Sequence, residues 1–240
     1  MISLEPLGNG VEIYTSSHHG FGTDAVLLAD FAAAKNNESA VDLGTGCGII
    51  PLLLLRNVKL KEIVGVDISE EAIELAKKSA IKNNFDVFKP ILADIKNLSG
   101  KTEFGKYNLV TCNPPYKKAN AGIKNPDPIA AAARHEVLCN LEDIISTGSK
   151  LLQTGGRMCV CHRPERLCEL FCLMSKYKIE PKKLRLVCQR KGEEPWLVLA
   201  EGKRCAKQGL KIMPDLYIEE NGKFSEEMIK IYGAYKEAYL

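Results

Sequence analysis

The chain has little that would carry it across a membrane, staple it or hold a metal. No apolar run among its 240 residues approaches the roughly 18 needed to span a bilayer. The opening Met1-Ile2-Ser3-Leu4-Glu5-Pro6 has no basic head followed by an apolar stretch, which reads against a secretory signal and predicts a cytoplasmic protein. Cys-x-x-Cys does not occur, and the nine cysteines are an odd number. Cys159 and Cys161 fall on one face of a predicted strand, and Cys168 and Cys172 four apart on a predicted helix. All are expected to be small buried hydrophobes in a reducing compartment, with no metal site. There is one tryptophan, no internal repeat and no low-complexity segment.

The composition is that of an ordinary globular protein, 45% apolar and 26% charged, long enough for one α/β domain with a sizeable core. Strand and helix patterns alternate. A helix is predicted over residues 21–34, strands over 40–43, 61–66, 87–92 and 107–112, and helices opening at Ile49 and after Ser69. Beyond a long Pro/Gly/Ala stretch (117–133), a helix over 141–152 closes at Gly155-Gly156. A strand over 157–162 and a helix over 164–177 follow. Strands over 184–189 and 196–200 form a hairpin, and a weakly helical stretch runs from Asn221 to Leu240. Such alternation argues for a mostly parallel sheet with helices on both faces.

The first of these strands runs into Asp42-Leu43-Gly44-Thr45-Gly46-Cys47-Gly48. Glycines there permit positive φ and close approach of a ligand to bare backbone, and the following helix offers unpaired N–H groups. The spacing is not that of a dinucleotide loop, because Ile49 stands where the last glycine belongs. Asp67 ends the second strand, where a carboxylate accepts from ribose hydroxyls. Asp94 follows the third, where it can accept from an adenine amino group.

With these features the chain resembles class I S-adenosylmethionine-dependent methyltransferases over roughly residues 20 to 200. The resemblance implies a Rossmann-like, seven-stranded sheet with a C-terminal antiparallel hairpin. It also implies a cofactor nest of Asp42, Gly44, Gly46, Asp67 and Asp94.

The fourth strand ends in Asn113-Pro114-Pro115-Tyr116. An exocyclic adenine NH₂, like an amide NH₂, is a poor nucleophile because its lone pair is delocalised. A catalyst must favour the pyramidal nitrogen of the transition state over the flat ground state. The Asn113 side-chain carbonyl and the Pro114 main-chain carbonyl are two acceptors that can draw the nitrogen toward sp³. The prolines fix the aim of the backbone, and Tyr116 can stack on the target. No covalent intermediate and no general base is needed. Asn113, Pro114 and Tyr116 are therefore the candidate catalytic residues, with Asn113 also beside the cofactor. By resemblance, Asn-Pro-Pro-Tyr at this position marks enzymes acting on adenine amino groups and on glutamine side-chain amides.

Charge bears on that choice. Residues 176–211 carry eleven Lys/Arg against four acids, and residues 113–135 carry four against one, so the net +3 of the whole chain conceals two basic stretches. They suit a polyanion, or they are solvated faces. Pro115, Lys117, Lys118 and Arg134 are candidate substrate contacts. Arg134 reads equally as a helix cap, and His135 as a structural residue or an RNA contact.

Phe21-Gly22-Thr23-Asp24-Ala25, Ala133-Arg134-His135-Glu136 and His162-Arg163-Pro164-Glu165-Arg166 extend the likeness over nearly the whole chain. Their layout resembles the bacterial valine-tRNA adenine-N6 methyltransferase family. That resemblance adds Thr23 and Asp24 to the cofactor site and implies a tRNA substrate. It divides one domain into a cofactor-capping segment (1–38), a core sheet (39–205) and a tail (206–240), in a monomer or weak dimer. The alternatives are a protein-glutamine methyltransferase, an rRNA or DNA adenine methyltransferase, and a scaffold that binds cofactor and RNA without catalysis.

Overall fold

The computed structural model describes residues 1–114 and 139–233. The chain opens with a hairpin, β1 (Ile2–Gly8) and β2 (Val11–Ser16), turning on Asn9 and Gly10 with φ of 52° and 75°. Then come α1 (Thr23–Ala32), β3 (Ser39–Leu43), α2 (Ile49–Asn57), β4 (Glu62–Asp67), α3 (Glu70–Lys82), β5 (Phe88–Leu92) and β6 (Tyr107–Cys112). After residue 138 follow α4 (Leu141–Leu151), β7 (Leu152–His162), α5 (Leu167–Lys176), β8 (Ile179–Cys188) and β9 (Pro195–Arg204). Short strands β10 (Lys211–Ile212), β11 (Leu216–Tyr217), β12 (Glu219–Glu220) and β13 (Lys223–Phe224) lead to α6 (Glu226–Tyr232).

The main sheet has the order β5-β4-β3-β6-β7-β9-β8, with β10 and β11 both pairing along the outer side of β8. Neighbours from β5 to β7 are parallel, and β9 is antiparallel to β7 and β8. The seven long strands are those expected, and the two short ones extend the sheet. The C-terminal ends of β4, β3, β6, β7 and β8 therefore share one edge with the start of β9.

Side chains alternate between two cores, as the period of a strand requires. Ala40, Leu109, Cys159 and Cys161 face α1, α2 and α6. Val41, Leu43, Val110, Cys112, Met158 and Val160 face α4 and α5. Helix α2 is buried from Ile49 to Leu54, pressed between the sheet and the β1–β2 hairpin, so Leu52→Ala there would cost about 2–5 kcal/mol.

Three expectations are corrected. Helix α4 ends at Leu151 and passes directly into β7, so Gly155-Gly156 lies inside a strand. A Cβ on Gly156 would stand 2.8 Å from the Tyr107 carbonyl oxygen, so this glycine lets β7 approach β6 closely. The predicted helix from Pro164 starts as a 3-10 turn (Pro164–Arg166). The cysteines are not all buried: Cys168, Cys172 and Cys205 are exposed. Helix α5 buries Leu170 and Met174, which puts Cys168 and Cys172 on its solvent side.

Candidate active site

The glycine loop is held at the end of β3 by its neighbour strand. The Gly44 and Thr45 amides both donate to the Val66 carbonyl, at 2.8 and 2.9 Å. The Gly46 amide donates to Asp67 Oδ2 at 2.8 Å, and the Ser69 amide donates to Oδ1 of the same carboxylate at 2.9 Å. Asp67 thus braces the loop and the start of α3, and each of its oxygens keeps capacity for a further donor. Gly65 makes room beneath, since a Cβ there would lie 2.8 Å from the Thr45 hydroxyl. Gly44 and Gly46 have φ of 73° and 54°, and a Cβ on either would meet nothing within 4 Å among the described residues.

Asp42 is 1% exposed, one strand residue before the loop. Thr111 on β6 donates its hydroxyl to Asp42 Oδ1 at 2.6 Å, while buried Oδ2 has no hydrogen-bond partner among the described residues. Burial raises the Asp42 carboxyl to about 7, against the pull of the Thr111 hydroxyl. A charge-assisted bond is worth about 1.5–3 kcal/mol, and the loss of water around a buried carboxylate outweighs it.

Asn113 follows β6 directly. Register places Leu43 beside both Val66 and Cys112, so Asn113 stands one strand from the glycine loop, on the side away from Asp67. The Cys161 thiol of β7 donates to Asn113 Oδ1 at 3.1 Å, which orients the side-chain amide. His162, the next residue, is fully buried. Burial, aided by Arg166, lowers its imidazole to about 4, and its Nδ1 accepts from the Arg163 amide at 2.8 Å. Asp94 sits two residues beyond β5. Its Oδ1 accepts from the Lys96 amide at 2.9 Å, and the Ala93 amide donates to the Asp67 carbonyl at 2.9 Å, which keeps the two acids side by side. Asp42, Gly44, Gly46, Asp67, Asp94, Asn113 and Pro114 are thereby brought to one edge.

Thr23 and Asp24 open α1 at that edge, but Thr23 turns to the C-terminal segment, its hydroxyl 2.9 Å from that of Tyr232. Asp24 Oδ1 accepts from the Ala25 amide at 2.9 Å. Pro115, Tyr116, Lys117, Lys118, Arg134 and His135 lie outside the described residues.

The basic C-terminal stretch does not form one face. Lys178, Lys182, Lys203 and Arg204 flank the beginning of β8 and the end of β9, at the edge opposite Asn113. Lys176, Lys183, Arg185 and Arg190 are paired with Glu142, Glu201, Glu227 and Glu219. Three of those acids fall outside the basic stretch, so its surplus is partly matched in space. Of this stretch, Arg190 and Lys191 lie just beyond β8, at the same edge as Asn113.

Residues 34–208 match the methyltransferase domain family. The chain belongs to that family. Among its relatives, the tRNA1(Val) (adenine(37)-N6)-methyltransferase of Porphyromonas gingivalis is 30% identical over 187 residues, 75% of this chain and 72% of that protein. The enzyme of the same name from Bacteroides fragilis is 25% identical over 220 residues, 91% of this chain and 90% of its own. In fold, the methyltransferase is similar to a predicted O-methyltransferase from Agrobacterium tumefaciens, with TM-score 0.72 and 21% identity over 89% of this chain and 97% of that one.

The residues present in the methyltransferase fit a methyl-donor cofactor. Among the described residues nothing crowds the two bare glycines, and a buried carboxylate oxygen lacks a partner beside them. Sequence reasoning missed Thr111 and Cys161, which hold Asp42 and Asn113 from other strands. It also missed Ile68, an apolar side chain 52% exposed directly after Asp67. An apolar residue just after a strand-ending acid was the available signal for Ile68; for the other two there was none.

Proposed function

We propose that this methyltransferase transfers a methyl group from S-adenosylmethionine to the N6 amino group of an adenine in RNA, with the anticodon-loop adenine of a valine tRNA as its substrate. The observation that carries this reading is the Asn113 side-chain carbonyl. It is anchored by Cys161 one strand from a glycine loop with room for a ligand. The names of the relatives from Porphyromonas gingivalis and Bacteroides fragilis support the choice of substrate.

When bound, S-adenosylmethionine supplies an electrophilic methyl group on a sulfonium. Asp67 accepts from ribose hydroxyls, Asp94 accepts from the amino group of the cofactor's own adenine, and Ile68 offers that ring an apolar surface. Asp42 closes the nest from below. Asn113 Oδ1 and the Pro114 carbonyl accept the two N–H bonds of the target amino group and favour its pyramidal form, which frees the lone pair for in-line attack. Tyr116 stacks on the target base, and Lys117, Lys118 and Arg134 contact the RNA backbone. The methylated nitrogen then gives up its extra proton to water. The enzyme works in the cytoplasm.

The test is to incubate the protein with labelled cofactor and total RNA from a strain lacking it, digest the RNA and identify the nucleoside. N6-methyladenosine at one tRNA position supports the reading. RNA that takes up no label, or label on a nucleoside other than N6-methyladenosine, overturns it.

A further inference from the structure

A cavity opens on the same edge beyond Asn113. Its volume is about 410 Å³, and Thr23, Gln189, Trp196, Glu219, Phe224 and Tyr232 line it with Ile218. That size lies within the roughly 300–1,000 Å³ of small-ligand sites. Trp196 opens β9 and Gln189 follows β8, two and three strands from β6. At about 4.8 Å per strand the cavity begins roughly 10 Å from Asn113. That is the reach of a near neighbour in a splayed single strand.

Three aromatic rings and a few fixed polar groups make up the wall. Gln189 Nε2 donates to Glu219 Oε1 at 2.7 Å, which aims the Gln189 amide. Arg190 donates to Glu219 Oε2 at 2.7 and 3.0 Å and holds its carboxyl below the usual range, with Gln189 adding to the effect. Thr23 and Tyr232 share a hydrogen bond at 2.9 Å. The Arg163 guanidinium lies 5.9 Å from the Trp196 ring centre. The Glu219 carboxylate in the cavity wall disfavours a phosphate there. Aromatic faces with acceptors at one end suit a nucleobase that carries an exocyclic amino group.

We infer that this cavity takes a base of the substrate RNA that flanks the target adenine and stacks it against Trp196. The inference rests on the proposed RNA substrate. It assigns Thr23 and Tyr232 to substrate recognition and makes the C-terminal segment from β11 to α6 a wall of the RNA site.

Trp196 is the chain's sole tryptophan, so its fluorescence reports on this cavity alone. The experiment titrates the full-length protein with an end-labelled anticodon stem-loop RNA. Binding is read from the label's anisotropy and stacking from tryptophan emission, and the titration is repeated with an abasic residue at each position flanking the target. The expected result is quenching by the intact RNA that is lost at one abasic position, where affinity falls about ten-fold, the worth of one stacked base. Trp196→Ala weakens the intact RNA by a similar factor and is indifferent to that abasic position, whereas Trp196→Phe keeps most of the affinity. RNA that binds without quenching, or an abasic penalty equal in wild type and Trp196→Ala, overturns the inference. Quenching without methyl transfer would sink the proposed reaction and leave the cavity's assignment standing. Absence of RNA binding sinks both.

Discussion

The Cys161 thiol donates to the Asn113 side-chain carbonyl at 3.1 Å, across neighbouring strands whose side chains face the same core. This contact fixes which end of the amide is oxygen. It matters because catalysis asks for an acceptor. Cys161→Ala should lower kcat roughly five-fold, the value of about 1 kcal/mol of lost positioning, with the cofactor Kd unchanged. Cys161→Ser keeps a donor and should recover most of the rate. Single-turnover kinetics on the three proteins checks it. Equal rates in Cys161→Ala and wild type would show that the thiol positions nothing.

Asp42 should make the cofactor-free protein less stable as pH rises. Its carboxyl titrates at about 7 when folded, whereas an unfolded aspartate titrates at about 3.9. Between those values the folded protein holds a proton that the unfolded chain has lost. Stability therefore falls by a few kcal/mol across that window and levels off above it. Asp42→Asn removes the dependence. In urea unfolding at pH 5 and pH 8, the variant should gain on wild type at the higher pH. A constant gap between the two proteins would refute the shift.

Substitutions in the glycine loop should separate affinity from stability. Gly44→Ala and Gly46→Ala place a methyl group in open space at φ of 73° and 54°, so each costs about 1 kcal/mol of backbone strain. In the proposed nest that methyl stands where the cofactor lies, and affinity should fall on the order of ten-fold or more. Gly48→Ala drives its Cβ to 3.0 Å from the Phe88 ring and should cost chiefly stability. Calorimetric binding and thermal unfolding of the three variants make the comparison.

Arg185 ties the C-terminal segment to the sheet. It is buried, donates to both oxygens of Glu227 at 2.7 Å and to the Pro214 carbonyl at 3.0 Å. Glu227 is half exposed, so Arg185→Ala should cost about 2 kcal/mol, below the range for a fully buried pair. The loss should be local. Limited proteolysis is expected to cut the variant between β9 and α6 while the remaining sheet stays intact.

Much of the sheet was legible because buried parallel strands are short apolar runs that end at polar residues. Tyr107 to Cys112 is one such run, with Asn113 directly after it. Glycines and acids at strand ends marked the candidate edge for the same reason. The β1–β2 hairpin went unread because β1 is mostly exposed and lacks alternation. The bonds that dock its partner strand, reciprocal between Glu12 and Asn83 and one-way from the Tyr14 amide to the Ser79 hydroxyl, join residues far apart in sequence. Cys161 and Thr111 were invisible for a related cause, since strand register sets their partners. Counting charge along residues 176–211 does not say where the charges lie, because β8 and β9 run in opposite directions and carry several of their lysines to the far edge.

In the proposed reaction Asn113, though beside the cofactor, chiefly activates the target amino group and contributes little to cofactor affinity. The most direct measurement compares wild type and Asn113→Ala in one preparation. Cofactor affinity is taken by calorimetry, and single-turnover methyl transfer uses an unmodified valine tRNA. The account predicts near-equal cofactor affinity and a rate reduced at least about a hundred-fold, the scale of a lost transition-state acceptor. Transfer by Asn113→Ala at the wild-type rate would contradict it.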